Sequence, residues 1–550
     1  MIKKNMFFVC MLFASTLPAQ TPQKTKAKTA ATNTEKAAAS HSSSMLSGVF
    51  GAPSGSAVII QYNGKNDLAL PAPKISGMTA GSSSFNFATP LPDSTKYKVT
   101  LKKIPAGLTA AVYAGSEGIM PQSTNNLRVG CDYTYDLVTR SSNDGSFSTF
   151  YESFDPATGG YAGEEGRYIT YVSSAVGFAG STGKHRQIFW RDRNTGTTRL
   201  ISAAPNGDEG NGDSYLPAIS GDGKSVAFES YSSNLVPTDK NGLRDIFIWH
   251  SASNKIETVS IGENGMEANA ESFEPAVSGD GNLVAFTSTA SNISATEKGV
   301  SNNNVFLRDL QKNITIMISV DPFTQKGGGG SKPSISYEGN RIAFYSHTST
   351  LVSNDNNGIW DIFLWGKNIS KLKRVSLTAD GKERNQGNES ANRIVAPAIS
   401  GNGQYIAFAT TANNMVTVDN NGFQNVFVYD INAGSTVIAS INASGKPGNA
   451  DSPIGQGEKI AISFDGKWVA FSTNASNLGV PAANVVMHNM LSGENKPVSA
   501  VVGSSVGRPS ISHAGGYVVF GIGGKLDSRY PSSGVFANYT GAGPCRSCPE

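Results

Sequence analysis

A phrase of fourteen residues, PAISGDGKSVAFES at Pro217–Ser230, recurs along most of the chain and constrains its fold more than any other feature. Close copies begin at Pro275, Pro333, Pro397, Ile460 and Pro509, and a looser copy around Pro156 opens the series. The turn glycines of the seven copies are spaced by 49 to 64 residues and are Gly166, Gly223, Gly281, Gly339, Gly403, Gly466 and Gly515. A period in this range is typical of propeller blades or of another repeat array.

Each repeat is predicted to form four short strands. The phrase itself gives two strands around a Gly-Asp-Gly turn, whose glycines supply the positive φ of a hairpin. A third strand then begins at Gln187, Asp245, Asn304, Asp361, Asn425, Asn484 or Gly534, and a fourth ends near a Val-Ser-like pair. Only six such pairs follow the repeats, and the missing one is Val138-Thr139, upstream of the first. We therefore expect an all-β fold, a seven-bladed β-propeller closed by an N-terminal strand.

The N-terminal segment indicates export. Residues 1–19 combine two lysines with a short apolar run and are predicted to be a signal peptide. Residues 20–47 are Lys, Thr, Ala and Ser with little to bury, so we expect a disordered tether. No other stretch is apolar enough for a transmembrane segment. The net charge of +3, without a basic stripe, argues against a nucleic acid partner, and the expected location is secreted, periplasmic or cell surface.

Residues 48–131 form a separate unit with apolar and polar residues alternating between turns, as in a small β-sandwich. The stretch that begins FNFATPLPDSTKYKVTLKK resembles a sandwich module of exported bacterial proteins, which implies a spacer or an adhesive unit. The resemblance also implies a cysteine near Ala110 that would pair with Cys131. This chain has alanine there, so that bridge is absent.

The cysteines of the mature chain are Cys131, Cys545 and Cys548, the last two in the tail at residues 541–550. Closure of the ring would bring the strand after Cys131 beside the last third strand. We therefore predict a disulfide from Cys131 to Cys545 or Cys548, as an exported protein can maintain. A strained Cys-x-x-Cys disulfide and a redox pair remain alternatives.

The repeats at residues 132–540 resemble the TolB-like, WD-like propellers of bacterial envelope proteins. The resemblance rests on the PxxSxDGxxxAFxS phrases and the D-[IV]-F strands that follow them. It implies ligand contacts on one face and around the central channel, and it implies no single activity. The long loops, from fourth to first strands and from second to third strands, are predicted to share one rim. We expect a protein or glycan partner to bind there.

A polar phrase, D-x-N-G-x-x-[DN], recurs in three of the second-to-third loops. Its oxygens are candidate Ca²⁺ ligands, although an Asx turn explains the same pattern without a metal and no other cofactor is expected. The candidate ligands are Asp239, Asn241, Asp245, Asp355, Asn357, Asp361, Asp419 and Asn421.

No catalytic residue is assigned from the sequence. The six histidines are scattered, and the G-x-S-x-G at Gly503–Gly507 lacks the strand-turn-helix context of a nucleophile. The favoured hypothesis is an exported, non-enzymatic binding or scaffold propeller. The alternative is a glycan-active, lyase-type enzyme that uses rim carboxylates as acid and base, chosen from Glu267, Glu271, Glu274, Glu383 and Glu389.

Overall fold

A computed structural model describes residues 43–542, apart from segments at 54–56, 72–79, 105–107, 115, 121–126, 134, 140–152, 162–163, 263, 295–301, 370–371, 386–393, 419–421, 455–457, 481–483, 500–504 and 524–533. The predicted signal peptide, most of the tether, Asp419, Asn421, Cys545 and Cys548 lie outside the described residues. Among those residues the single helix is a 3₁₀ turn at Phe178–Gly180, and no helix is long and apolar enough to cross a membrane.

The N-terminal unit is a β-sandwich. Its strands are β1 (Ser43–Ser44), β2 (Ser47–Pro53), β3 (Ala57–Tyr62), β4 (Lys65–Pro71), β5 (Ala80–Asn86), β6 (Leu91–Pro92), β7 (Lys96–Lys103), β8 (Leu108–Ala114), β9 (Glu117–Ile119) and β10 (Leu127–Tyr133). The sheets β5-β2-β10-β8 and β4-β3-β7-β9 enclose one apolar core that includes Phe50, Ile60 and Val129. The register of β8 and β10 pairs Ala110 with Cys131, the position at which the sandwich resemblance implied a bridge.

The rest of the described chain forms four-stranded antiparallel sheets in sequence order, numbered here as sheets one to seven. Their strands are β11 (Tyr135–Leu137), β12 (Ser153–Gly159), β13 (Tyr168–Ser173), β14 (Gln187–Asp192), β15 (Thr197–Leu200), β16 (Ser214–Ile219), β17 (Ser225–Ser230), β18 (Asp245–His250), β19 (Lys255–Thr258), β20 (Ser272–Val277), β21 (Leu283–Ser288), β22 (Asn304–Asp309), β23 (Ile314–Met317), β24 (Ser331–Ile335), β25 (Arg341–Ser346), β26 (Asp361–Gly366), β27 (Lys373–Arg374), β28 (Ala398–Ile399), β29 (Tyr405–Thr410), β30 (Asn425–Asp430), β31 (Ser435–Ile438), β32 (Ala461–Ile462), β33 (Trp468–Thr473), β34 (Asn484–Asn489), β35 (Asn495–Pro497), β36 (Ser505–Ile511), β37 (Tyr517–Gly523) and β38 (Gly534–Tyr539). Sheets one to six are β12–β15, β16–β19, β20–β23, β24–β27, β28–β31 and β32–β35, and sheet seven is β36–β38 with β11.

The predicted closure by an N-terminal strand is confirmed. β11 pairs antiparallel with β38, so residues from the start of the repeat region complete sheet seven. An apolar cluster lies between each sheet and the next, and one cluster joins Ile169 and Tyr171 of sheet one to Val519 and Val535 of sheet seven. The sheets therefore form a closed ring, because the last packs against the first.

The repeated sequence letters have local structural roles. In the turn of sheet two, Ser220 Oγ donates to Asp222 Oδ1 and accepts from the N–H of Ser225, while Gly223 takes a φ of 72°. The serine of the Val-Ser pair links the fourth strand to the start of the third. Ser260 Oγ accepts from the Ile246 N–H and donates to Asp245. The same serine contact recurs at Ser202, Ser319, Ser376, Ser440 and Ser499.

Two buried leucines test the two cores separately. Leu137 in the closing strand is 4% exposed and Leu127 in the sandwich is 2% exposed. Replacing Leu137 with Ala should lower the free energy of unfolding of the ring by about 2–5 kcal/mol, because the cavity cannot fully collapse. Hydrogen exchange followed by mass spectrometry should show faster exchange in the repeats and unchanged exchange in the sandwich. Leu127→Ala is the matched control and should show the reverse.

Candidate functional site

The first strands of all seven sheets line a central channel that contains a cavity of about 550 Å³. Each first strand runs from a long fourth-to-first loop to the short Gly-Asp-Gly turn. One end of the channel therefore opens at the long-loop rim, and the other lies among the short turns.

A β-bulge places charged residues at the rim end of the channel. In five first strands the residue before the repeat proline has a left-handed backbone and the strand register shifts beside it. Only Leu216 of this group is apolar, and the charged members are Asp155, Glu274, Lys332 and Arg508. A non-glycine residue at positive φ is uncommon, so the repetition around one axis indicates a built feature.

Carboxylates fix these bulges to their neighbours. Glu229 Oε2 accepts from the N–H of Glu274 at 2.9 Å, and Glu274 Oε2 accepts from the N–H of Lys332 at 2.9 Å. Glu458 Oε2 accepts from the N–H of Arg508 at 3.0 Å. Burial raises the pKa of Glu229 and of Glu458. These carboxylates hold adjacent sheets together, so their acceptor oxygens are already engaged.

Three cations are partly exposed at the channel mouth. The side chains of Lys332, Lys459 and Arg508 are 30–32% exposed, whereas that of Asp155 is 2% exposed. Asp155 pairs with Arg508, and its Oδ1 lies 3.7 Å from Lys459 Nζ. Burial lowers the pKa of Lys459 and Asp155 opposes that shift. Glu274, which pairs with Lys332, and Glu458 also line the cavity and are half-buried, so an anion that enters the mouth meets three partly exposed cations together with these two carboxylates.

Aromatic residues from the short turns close the other end of the channel. Tyr337 packs on Phe464 at 5.6 Å between ring centroids, and Phe464 stacks on His513 at 4.2 Å. Gly221 and Gly279 lie under Tyr337, where a Cβ would overlap its ring. The channel is therefore a socket with one mouth.

Hydrogen bonds link the short turns into a ring. The backbone N–H of one turn donates to the C=O of the next, as in Gly279 to Tyr337, Tyr337 to Gly401 and Phe464 to His513. At the seam between sheets seven and one, the Ala514 N–H donates instead to Glu165 Oε1 at 2.8 Å. Glu165 is fully buried, and burial raises its pKa to about 7.

The two classes of long loop meet on one rim, as expected from the strand directions. Asn269, in the loop before sheet three, accepts at Oδ1 from the Ser291 N–H of the second-to-third loop. Its own N–H donates to Asn292 Oδ1 at 3.0 Å. Equivalent hydrogen bonds between the two classes of loop are made by Asn211, Asn385 and Asn449.

The candidate calcium residues that the structure describes lie on this rim. Asn241 Oδ1 accepts from the Leu243 N–H at 2.7 Å and Asn357 Oδ1 from the Ile359 N–H at 3.2 Å, which makes each an Asx turn. Among the described residues no three His, Cys, Asp or Glu side chains form a ready-made metal centre.

Four of the five glutamates proposed for acid and base catalysis lie among the described residues, and each has its own partner. Glu267 Oε1 accepts from the Lys240 N–H, Glu271 pairs with Arg244, Glu274 pairs with Lys332 and Glu383 pairs with Arg374. Glu389 lies outside the described residues. The cations Lys332, Lys459 and Arg508 were not predicted from the sequence. Each is a charged residue directly before the first position of a repeat phrase, and this position is the signal that could have found them.

Comparisons with known proteins found similarity to solved structures only. No family model matches the chain, and no curated protein matches it. A TolB structure from Acinetobacter baumannii is 15% identical, with a TM-score of 0.35, and the alignment covers 70% of this chain and 66% of that one. An oligogalacturonate lyase from Vibrio parahaemolyticus is 9% identical, with a TM-score of 0.45 and coverage of 74% and 96%. The solved structures to which the chain is similar therefore include a TolB structure.

Because burial raises the pKa of Glu165, we expect the free energy of unfolding to fall as the pH rises. Its folded pKa of about 7 exceeds the ordinary value of 4.5, so the folded state holds the proton more tightly between these values. Glu165→Gln keeps an acceptor for Ala514 and removes the charge. Relative to that variant, the wild-type chain should lose about 2–3 kcal/mol of unfolding free energy between pH 5 and pH 8. Urea unfolding at both pH values measures this difference, and parallel pH profiles for the two proteins would contradict it.

Proposed function

We propose that the protein is an exported, non-enzymatic binding protein that captures a protein or glycan partner at its long-loop rim. The N-terminal 1–19 segment serves as the signal peptide, residues 20–47 as a tether, and the sandwich as a spacer. The partner inserts an acidic segment into the channel mouth. This proposal goes beyond the TolB-like fold, which hosts several activities.

One observation carries the proposal, namely the imbalance between exposed cations and buried carboxylates at the mouth. Lys332, Lys459 and Arg508 each expose about a third of the side chain, whereas Glu274 exposes 20% and Glu229 and Asp155 are buried. A carboxylate of the partner gains charge-assisted hydrogen bonds from a guanidinium whose position is already fixed. The cavity of about 550 Å³ is large enough for one or two residues or sugar units.

Substitution of the bulge cations tests this proposal. Asparagine tolerates the left-handed backbone at positions 508 and 332, so Arg508→Asn and Lys332→Asn remove charge with little strain. Each variant should weaken binding of poly-L-glutamate and of polygalacturonate by roughly fivefold to a hundredfold, the usual loss for one charge-assisted hydrogen bond. Biolayer interferometry with the mature chain measures both ligands, and whichever binds identifies the partner class.

Lys224→Asn is the matched control, because Lys224 is an exposed lysine on a short turn at the opposite end of the channel. It should leave binding unchanged. Dextran, a neutral glycan, should not bind the wild-type chain. Equal losses in the Lys224 and Arg508 variants would mean that net charge alone drives binding, and the proposed socket would then be wrong.

A second function, lyase-type cleavage of an acidic glycan, is favoured by the lowered pKa of Lys459 beside Arg508. A lysine with a lowered pKa can act as a general base, while the guanidinium neutralises the uronate carboxylate. If this is the activity, incubation with polygalacturonate should produce unsaturated uronates, detected by ultraviolet absorbance, and Lys459→Met should abolish them. Binding without product by the wild-type chain would leave capture as the function.

A further inference from the structure

Sheets two and four have acidic residues at the same three rim positions, 116 residues apart in the sequence. The two sheets differ in the cations that lie beside these acids. In sheet four, Arg374 Nη1 lies 3.0 Å from Asp355 Oδ1, 2.9 Å from Glu383 Oε1 and 3.5 Å from Asp361 Oδ2. Its Nη2 donates to the Asn354 carbonyl at 2.6 Å. One protein cation therefore sits among three carboxylates and a backbone oxygen.

Sheet two has the same acidic groups without the cation. Asp239, Asp245 and Glu267 occupy the places of Asp355, Asp361 and Glu383. The ladder pairs Phe247 with Thr258 where sheet four pairs Phe363 with Arg374. A second arginine of sheet four, Arg384, which contacts Asp361, is replaced by Ala268. Within the described residues no ion pair joins a cation to any of the three acids of sheet two.

Without a cation paired to it among the described residues, one carboxylate oxygen of Asp239 in sheet two is buried without a partner. The residue is 8% exposed, and its Oδ1 is buried and has no hydrogen-bond partner. The corresponding oxygen of Asp355 also has no hydrogen bond, but it lies 3.0 Å from Arg374 Nη1. In sheet two the place of that guanidinium lies among the equivalents of the same three acids, Asp239, Asp245 and Glu267, with no cation among the described residues to fill it.

We propose that sheet two binds Ca²⁺ at the position that the Arg374 guanidinium occupies in sheet four. Asp239, Asp245, Glu267 and the Thr238 carbonyl would supply the oxygens, and water would complete the six to eight ligands that Ca²⁺ takes. Asn241 is not a ligand, because its Oδ1 accepts from Leu243 and its Nδ2 donates to Asp245. Sheet four does not bind the ion, since Arg374 fills the place.

The ion must draw its ligands inward. The oxygens of sheet four lie 2.9–3.5 Å from the arginine nitrogen, whereas Ca²⁺–oxygen distances are about 2.3–2.6 Å. The required movement is therefore between about 0.3 and 1.2 Å for each ligand, in a surface loop that begins and ends on strands. This explains why the acids of sheet two are not a ready-made metal centre and are nonetheless the right donor set for a hard cation.

Titration of the mature chain tests the site. After treatment with chelator, isothermal titration calorimetry with CaCl₂ should show one ion per chain, and the melting temperature should rise with Ca²⁺ concentration. Asp239→Asn should weaken the affinity roughly tenfold or more, because a charged ligand is lost. Absence of any heat and of any shift in melting temperature would overturn the proposal.

A sharper test moves the arginine of sheet four to the equivalent position of sheet two, and removes it from sheet four. Thr258→Arg should abolish calcium binding and raise the melting temperature of the calcium-free chain, which also shows that the variant folds. Arg374→Thr with Arg384→Ala should create a second site, so that two ions bind. Asp355→Asn is the matched control and should leave the calcium response unchanged. Equal calcium responses in the wild-type chain and the Thr258→Arg variant would mean nonspecific binding and would refute the site.

Discussion

The hydrogen bonds that run around the central axis are the interaction on which the rest of the structure depends. A four-stranded sheet of six-residue strands has few apolar residues to bury by itself, and here its two faces are covered by the sheets before and after it. Apolar packing is not directional, so by itself it would not fix the position of one sheet relative to the next. The turn-to-turn bonds, such as Gly279 to Tyr337, and the carboxylate bonds, such as Glu229 to Glu274, fix the first strands at both ends of the channel.

This constraint determines the chemistry of the channel. A bulged strand leaves one backbone N–H without a ladder partner, and a carboxylate from the neighbouring sheet is a strong acceptor for it. Glu274 and Glu458 serve that purpose, so one oxygen of each is held by the channel wall. The cations that accompany them, Lys332 and Arg508, remain partly exposed at the mouth. The partly exposed cations of the mouth are therefore a consequence of how the ring is joined.

The sequence predicted the features that repeat within one sheet. The Gly-Asp-Gly turn, the buried Phe228 opposite Phe247 and the serine at Ser260 are each determined by neighbours a few tens of residues away, so their spacing recurs and can be read. The sequence did not predict Glu165 or the charged bulges. Glu165 bonds to Ala514, almost 350 residues along the chain, and such contacts exist only once the ring has closed. The calcium candidates were predicted as a uniform set, and the arginine that separates sheet four from sheet two lies outside the motif.

Differences between copies are therefore more informative than their shared letters. At the rim frame sheet one has Ser181 and Gln187 with the single acid Glu209, whose Oε2 accepts from the Thr182 N–H. Sheet four has three acids and two arginines, and sheet two has three acids alone. In sheet one, hydroxyl and amide groups stand in place of two of the carboxylates. In sheet four, arginines balance the negative charge of the carboxylates. Burying a carboxylate without a counter-charge lowers the stability of the folded state. At these positions sheet two has three acids and no arginine, so a bound cation should stabilise this sheet more than the others.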